Sequence, residues 1–178
     1  LNYPDASTLG RGYSIAVTSK GVKVLVVSVL GRVFMNLMDC PFRSMDKILE
    51  EMQEQVDVVI VDIHAEATSE KMALGWYLDG RVNAVIGTHT HVQTADEKIL
   101  TKGTAYITDA GLTGAHDSVI GVEKKIIIDR FLTQLPQKYI IAKEKVSLEG
   151  VLIEIDDKTY RTKSIKRVRK GEFFHNGI

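Results

Sequence analysis

The sequence holds a single cysteine, Cys40, in 178 residues. That excludes an internal disulfide and fits a reducing compartment, so a cytoplasmic location is expected. Net charge is also lacking, because Lys plus Arg and Asp plus Glu each number 23. No global field therefore draws the chain to nucleic acid or acidic membranes. No apolar run approaches the roughly 20 residues that span a bilayer, and no signal peptide is expected ahead of the first candidate strand. Internal repeats, low-complexity tracts and linkers are missing too, and a chain of this length can bury a sizeable core. Residues 1–178 are thus expected to form a single domain. The opening LNYPDASTLGRGY has neither a methionine nor a strand, which predicts a fragment entered in mid-loop.

What is present is concentrated between Val56 and His91. The stretch VDVVIVDIHAEATSEKMALGWYLDGRVNAVIGTHTH holds three of the five histidines. Val56–Ile63 is almost all β-branched and apolar, the pattern of a strand buried on both faces of a parallel sheet. A helix is expected from about Thr68, with Thr68 or Ser69 as N-cap and Glu70 in the first turn. Met72, Ala73, Trp76 and Tyr77 supply its apolar stripe, and Asp79-Gly80 its stop. Val82–Ile86 reads as the second strand. A right-handed crossover makes such strands parallel, and ligands bind beyond their carboxyl ends.

His64 leaves the first strand at that end, and His89 and His91 leave the second. Three imidazoles are therefore expected to converge on one rim as metal ligands. Residues i and i+2 of an extended segment point the same way, and neutral imidazole suits Zn, Fe, Mn or Co. The alternative is histidines merely hydrogen-bonded at a sheet rim. Thr88 and Thr90 offer hydroxyls to a bound oxyanion. Asp62 either orients an imidazole or points into the site beside His64, and Glu66 reads equally as a solvated loop residue.

Elsewhere, Tyr13–Thr18 and Val22–Leu30 flank the hairpin signal Ser19-Lys20-Gly21. Gly31–Arg43 is an apolar loop that either packs over the sheet edge or forms a substrate wall or subunit contact. Ser44 is expected to cap a helix carrying Met45, Ile48, Leu49, Met52 and Val56 at helical spacing. Gly103–Thr108 reads as a strand. Glu123–Leu132 reads as a helix, although Ile126-Ile127-Ile128 also suits a strand. From Tyr139 the pattern turns antiparallel, with a break at Glu149-Gly150 and a turn at Asp156-Asp157. The loop Thr108–Gly121 contains turn glycines with Asp109, His116 and Asp117, a weak phosphate-cradle signal. His116 stays unassigned, and His175 belongs to a polar tail. Six of the ten residues Arg161–Lys170 are basic. A charged edge strand that resists aggregation is the favoured meaning, with an RNA-binding surface as the alternative.

The stretch DIHAEATSEKMALGWYLDGRVNAVIGTHTHVQTADEKIL resembles the YmdB-type metallophosphoesterases, a branch of the calcineurin-like phosphoesterase superfamily. GRGY at Gly10–Tyr13, GRVFMNLMDCPF at Gly31–Phe42, GTAYITDAG, DSVIG, and FLTQLP at Phe131–Pro136 carry the same likeness. The resemblance implies an α/β fold, part of a four-layered α/β/β/α sandwich lacking its N-terminal strands. It implies two divalent or mixed-valence metal ions at the strand ends, iron or manganese favoured over zinc or magnesium. It also implies hydrolysis of 2′,3′-cyclic nucleotides at the 2′ bond. By match to the family motif, His64 and His89 sit on one ion and His91 on the other. The superfamily ending Gly-His-x-His stands here as Gly87-Thr88-His89-Thr90-His91.

The family's metal-binding Asp, its Glu-Asn pair and its Asn-His motif have no counterpart in this chain. The proton-donating His belongs to the last of these, so no catalytic residue is assigned. Two ions about 3.5–4 Å apart need a bridging carboxylate, which three neutral imidazoles do not provide. The expected partners are a small cyclic nucleotide and, through the apolar Val33–Phe42 loop, a second copy of the chain, with no membrane. Two readings compete: a non-catalytic metal-binding or RNA-linked regulatory module, and a mononuclear three-histidine hydrolase.

Overall fold

The computed structural model describes residues 1–4, 10–52 and 54–172, so the expectation for His175 lies outside the described residues. Strands β1 (Tyr13–Val17) and β2 (Lys23–Leu30) form the expected hairpin, closed by the Thr18 N–H donating to the Val22 carbonyl at 2.9 Å. Helix α1 (Pro41–Met52), strand β3 (Val58–His64), helix α2 (Thr68–Leu78) and strand β4 (Ala84–Thr88) follow. Then come β5 (Lys98–Ile99), β6 (Ala105–Ile107), β7 (Gly114–Ala115), α3 (Lys124–Thr133), β8 (Val146–Ile155) and β9 (Thr162–Gly171).

The larger sheet runs β1-β2-β3-β4-β6-β5. Its four inner strands are parallel and its two edge strands antiparallel. The β3–α2–β4 unit thus has the parallel crossover that its sequence pattern predicts. Alternation along the inner strands gives the sheet two different faces. On one, Leu25, Val27, Val29, Val61, Ile63 and Val85 pack with Met45, Ile48 and Leu49 of α1 and Leu74 and Leu78 of α2 in a single core. Each such side chain contributes about 1.5–3 kcal/mol by leaving water.

The opposite face looks toward the second sheet, β7-β8-β9, which is antiparallel throughout. Val24, Val58 and Ile60 line one wall of a cleft of about 550 Å3, and Val151, Ile153 and Ile155 of β8 line the other. Asn83 fastens the two sheets together. Its side chain accepts from the Val59 N–H at 2.8 Å and donates to the Tyr160 carbonyl at 2.6 Å. Its own carbonyl accepts from Thr162 Oγ1 at 2.8 Å. The architecture is mixed α/β, with α1 and α2 on one face of the main sheet and the second sheet on the other. Among the described residues no helix is long and apolar enough to cross a membrane.

Several local expectations are corrected. Helix α1 begins at Pro41 rather than Ser44, since a first-turn proline has no intrahelical N–H to lose. The N-cap of α2 is Ala67, without a side-chain cap. Its buried face is Glu70, Lys71, Leu74, Gly75 and Leu78, whereas Met72, Trp76 and Tyr77 are 39%, 50% and 39% exposed. Glu70 is buried because its carboxylate accepts the Arg32 and Val33 N–H groups at 3.0 and 3.1 Å, holding the loop after β2. In that loop Phe34 and Leu37 project into solvent instead of covering the sheet edge. Ile126–Ile128 is helical, within α3. Strand β8 runs unbroken through Glu149-Gly150, because the Glu149 carboxylate turns inward to Arg169 at 3.0 Å. Among the described residues, 139–145 forms no strand; Ile141 makes an isolated bridge to Val122. Strand β9 pairs with β8 alone and is a charged edge, as expected.

Candidate metal centre

The carboxyl ends of β3 and β4 meet on the face opposite α1 and α2. In the parallel register His64 stands opposite Thr88, and Asp62 opposite Ile86 and Ser28. Asp62 and His64 therefore share a face, as alternation requires. Thr88 Oγ1 donates to Asp62 Oδ1 at 2.7 Å, and Ser28 Oγ donates to Asp62 Oδ2 at 2.9 Å. With its proton committed to Asp62, the Thr88 oxygen accepts from His64 Nδ1–H at 3.1 Å. That assigns the tautomer of His64 and leaves Nε2 with a free lone pair. Carboxylates that fix an imidazole in this way are a recurring support for metal-binding histidines.

His89 meets that lone pair. Its Nδ1 is 2.9 Å from His64 Nε2, and the rings are edge to face with centroids 4.6 Å apart. Its Nε2 lies 3.1 Å from Glu66 Oε2, so Glu66 belongs to the site rather than only to a solvated loop. Burial first, and then the neighbouring His89, hold the conjugate acid of His64 below the ordinary histidine range. His91 goes elsewhere: its Nδ1 donates to the Ile120 carbonyl at 3.0 Å, leaving Nε2 as its acceptor nitrogen. The structure thus brings His64 and His89 together and sets His91 on the adjoining Ile120 loop. His116 lies beyond His91, its Nε2 donating to the Leu112 carbonyl at 3.0 Å.

The geometry can be tested against an ion. Two nitrogens bound at about 2.1 Å and at right angles stand about 3.0 Å apart. The 2.9 Å between His64 Nε2 and His89 Nδ1 is close to that ligand spacing, while in this structure the two nitrogens share a hydrogen bond. Among the described residues no three His, Cys, Asp or Glu side chains close on one point, so the pair stands as two donors.

The turn carrying His89 and His91 is conformationally costly. Their φ angles are 103° and 60°, and left-handed backbone at non-glycine residues costs of order 1–3 kcal/mol each. Between them, Thr90 donates from both its N–H and its hydroxyl to Asp109 Oδ2, at 3.0 and 2.7 Å. The same oxygen accepts from Lys71 Nζ at 2.9 Å, and both side chains of that ion pair are 0% exposed. Burial pushes the Asp109 carboxyl up, but hydrogen bonds from Thr90, Lys71 and Gly111 outweigh it and hold it below the usual carboxylate range. Gly87 permits the close passage, because a Cβ there would fall on the Thr108 carbonyl oxygen.

Lys71 is not among the residues singled out from the sequence, and Asp109 enters there only as part of a glycine-rich loop. The signal for Lys71 was its place one, and then two, helical turns before Leu74, Gly75 and Leu78, a charge set into an apolar stripe. The hydroxyls of Thr88 and Thr90, expected to face an oxyanion, donate inward to Asp62 and Asp109 instead.

A family model described as YmdB-like protein matches residues 1–168. A 2′,3′-cyclic-nucleotide 2′-phosphodiesterase of Bacillus subtilis is 47% identical over 167 residues, covering 94% of this chain and 62% of that protein. A putative phosphatase/phosphodiesterase of Mycoplasma genitalium is 38% identical over 165 residues, covering 90% of this chain and 57% of its own. Among solved structures, a hypothetical protein from Thermus thermophilus superposes with a TM-score of 0.90 at 45% identity, over 96% of this chain and 66% of that one. A novel phosphatase from Mycoplasma pneumoniae superposes with a TM-score of 0.86 at 34% identity, over 96% of this chain and 62% of its own. The chain spans 62% and 57% of the length of these two curated relatives.

Proposed function

Because the chain belongs to the YmdB-like protein family, we propose that the whole protein is a metal-dependent phosphodiesterase, a hydrolase that opens 2′,3′-cyclic nucleotides at the 2′ bond. The observation that carries this reading is the His64–His89 pair, set at ligand spacing on the carboxyl ends of two adjacent parallel strands. His64 and His89 hold one ion and His91 a second, in a four-layered α/β/β/α sandwich. Iron or manganese, divalent or mixed-valence, suits such imidazole-rich sites, with zinc and magnesium as alternatives. When bound, the ions stabilise the charge that develops on phosphoryl oxygens. Asp62 orients His64 through Thr88, and Glu66 does the same for His89. Within this chain no residue is assigned as bridging carboxylate or proton donor.

His64→Ala, His89→Ala and His91→Ala in the full-length protein are each expected to lower metal content and cyclic-nucleotide hydrolysis together. Full activity in the triple variant would reject the assignment. The competing RNA-linked reading rested on the basic β9, yet Arg167 pairs with Glu97 at 2.8 Å and Arg169 with Glu149 at 3.0 Å. With those guanidiniums already paired to carboxylates of the same chain, the enzyme reading is preferred. Free Cys40 fits action in the cytoplasm. The exposed Phe34 and Leu37 support association with a second copy.

A further inference from the structure

Lys71 and Asp109 form an ion pair at 2.9 Å with neither side chain exposed, and they hydrogen-bond to each other rather than to an imidazole. Stability is a poor reason for such a pair, because well-packed apolar residues commonly do as well or better. What sets this pair apart is what else the carboxylate holds. Asp109 Oδ2 takes the Thr90 N–H and hydroxyl, and Oδ1 takes the Gly111 N–H at 2.9 Å. The Asp109 backbone grips the far side of the same turn: its N–H donates to Thr94 Oγ1 at 2.9 Å and its carbonyl accepts the Thr94 N–H at 3.1 Å. Next door, the Ala110 N–H donates to the Gly87 carbonyl at 2.8 Å. The segment from Gly87 to Thr94 is thus pinned at both ends and in the middle by residues 109 and 110, and the middle pin falls between the two left-handed histidines.

We propose that Asp109, backed by Lys71, is a positioning residue for the metal site: it fixes Thr90 so that His89 and His91 are presented to their ions already in their unfavourable backbone conformation. The inference rests on the metal reading given above. Lys71 supplies the charge that lets a buried carboxylate stay ionised and accept from three neighbours at once. Without the carboxylate the turn relaxes toward ordinary φ values, and both imidazoles leave the positions set by the strand ends.

The test uses the full-length protein, Mn2+ titration by calorimetry, and the visible spectrum of the Co2+-loaded form, alongside circular dichroism and Tm. Asp109→Asn and Thr90→Val are each expected to fold, to bind Mn2+ about 10–100-fold more weakly and to shift the Co2+ spectrum. Thr90→Ser, which keeps the hydroxyl, restores most of the affinity. If Asp109→Asn fails to fold, Thr90→Val decides alone, since it leaves the ion pair intact. Folded variants with wild-type Mn2+ affinity and an unchanged Co2+ spectrum would overturn the positioning role, provided His64→Ala and His89→Ala do lose the ion. Should those histidine variants also bind Mn2+ as the wild type does, the metal reading itself fails, and the positioning role with it.

Discussion

Asp62 and His64 lie two residues apart on one face of β3 and act on each other through a hydroxyl that belongs to neither. Thr88 Oγ1 donates to Asp62 at 2.7 Å and accepts from His64 at 3.1 Å. A carboxylate set directly against the imidazole would pair with it as an ion pair when the ring is protonated. The interposed hydroxyl instead transmits orientation and tautomer while keeping the charge one residue away.

Thr88→Val keeps the shape and removes the relay. Asp62 then loses a donor and His64 an acceptor, so folding stability is expected to drop by about 1–3 kcal/mol. Metal affinity of the full-length protein should fall about tenfold through the misoriented ring. Thr88→Ser should recover both. Urea denaturation and Mn2+ titration of the three proteins check this, and equal affinity in Thr88→Val would show that Asp62 exerts no hold on the site.

Asn83 offers a structural counterpart away from the chemistry. Its side chain satisfies the Val59 N–H on β3 and the Tyr160 carbonyl in the turn between β8 and β9. Asn83→Ala leaves both unmatched and should cost about 2–3 kcal/mol. Hydrogen exchange is the discriminating measurement: amides of β8 and β9 should exchange faster, while those between β2 and β3 keep their protection. Uniform acceleration across both sheets would mean that Asn83 is not the fastening point.

Acid should weaken the fold through carboxylates such as Asp96. Burial raises its carboxyl, but hydrogen bonds from Thr108 and Thr94 outweigh that and hold it below the ordinary value. A carboxylate lowered in the folded state stabilises it above the unfolded pKa of about 3.9. That contribution disappears as pH falls through the folded value. Asp109 carries the same sign. The urea midpoint is therefore expected to fall most steeply below about pH 4. Asp96→Asn should lower the midpoint near neutrality and flatten the acid branch; an unchanged acid branch would remove Asp96 from the account.

The hairpin, the parallel β3–α2–β4 unit and the charged edge of β9 are legible because each rests on a strong local signal: a Ser-Lys-Gly turn, a largely β-branched run, a basic strand. The errors share a different cause. The stripe of Met72, Trp76 and Tyr77 attracted attention by its size, while the true buried face of α2 contains Glu70 and Lys71, whose burial depends on partners at residues 32, 33 and 109. Glu149-Gly150 reads as a break for the same reason, since Arg169 and the Leu112 N–H, 3.1 Å away, are what make a buried Glu149 sensible. In the site, the two strand ends could be read from the sequence. The left-handed turn at His89 and His91 could not, because periodicity assumes that alternation continues past Thr88.

Strand pairing also has a consequence for how the chain can change. The ladder that sets His64 opposite Thr88 works as a vernier with a two-residue pitch. Slipping β4 by one position would bring Gly87 beside His64 and turn the Thr88 hydroxyl toward the helices, so the link to Asp62 would vanish although no residue had been replaced. Insertions or deletions in the crossover between the strands are therefore judged by a single criterion: whether the old pairing is restored. Those that restore it leave the chemistry alone, and those that do not erase it in one step.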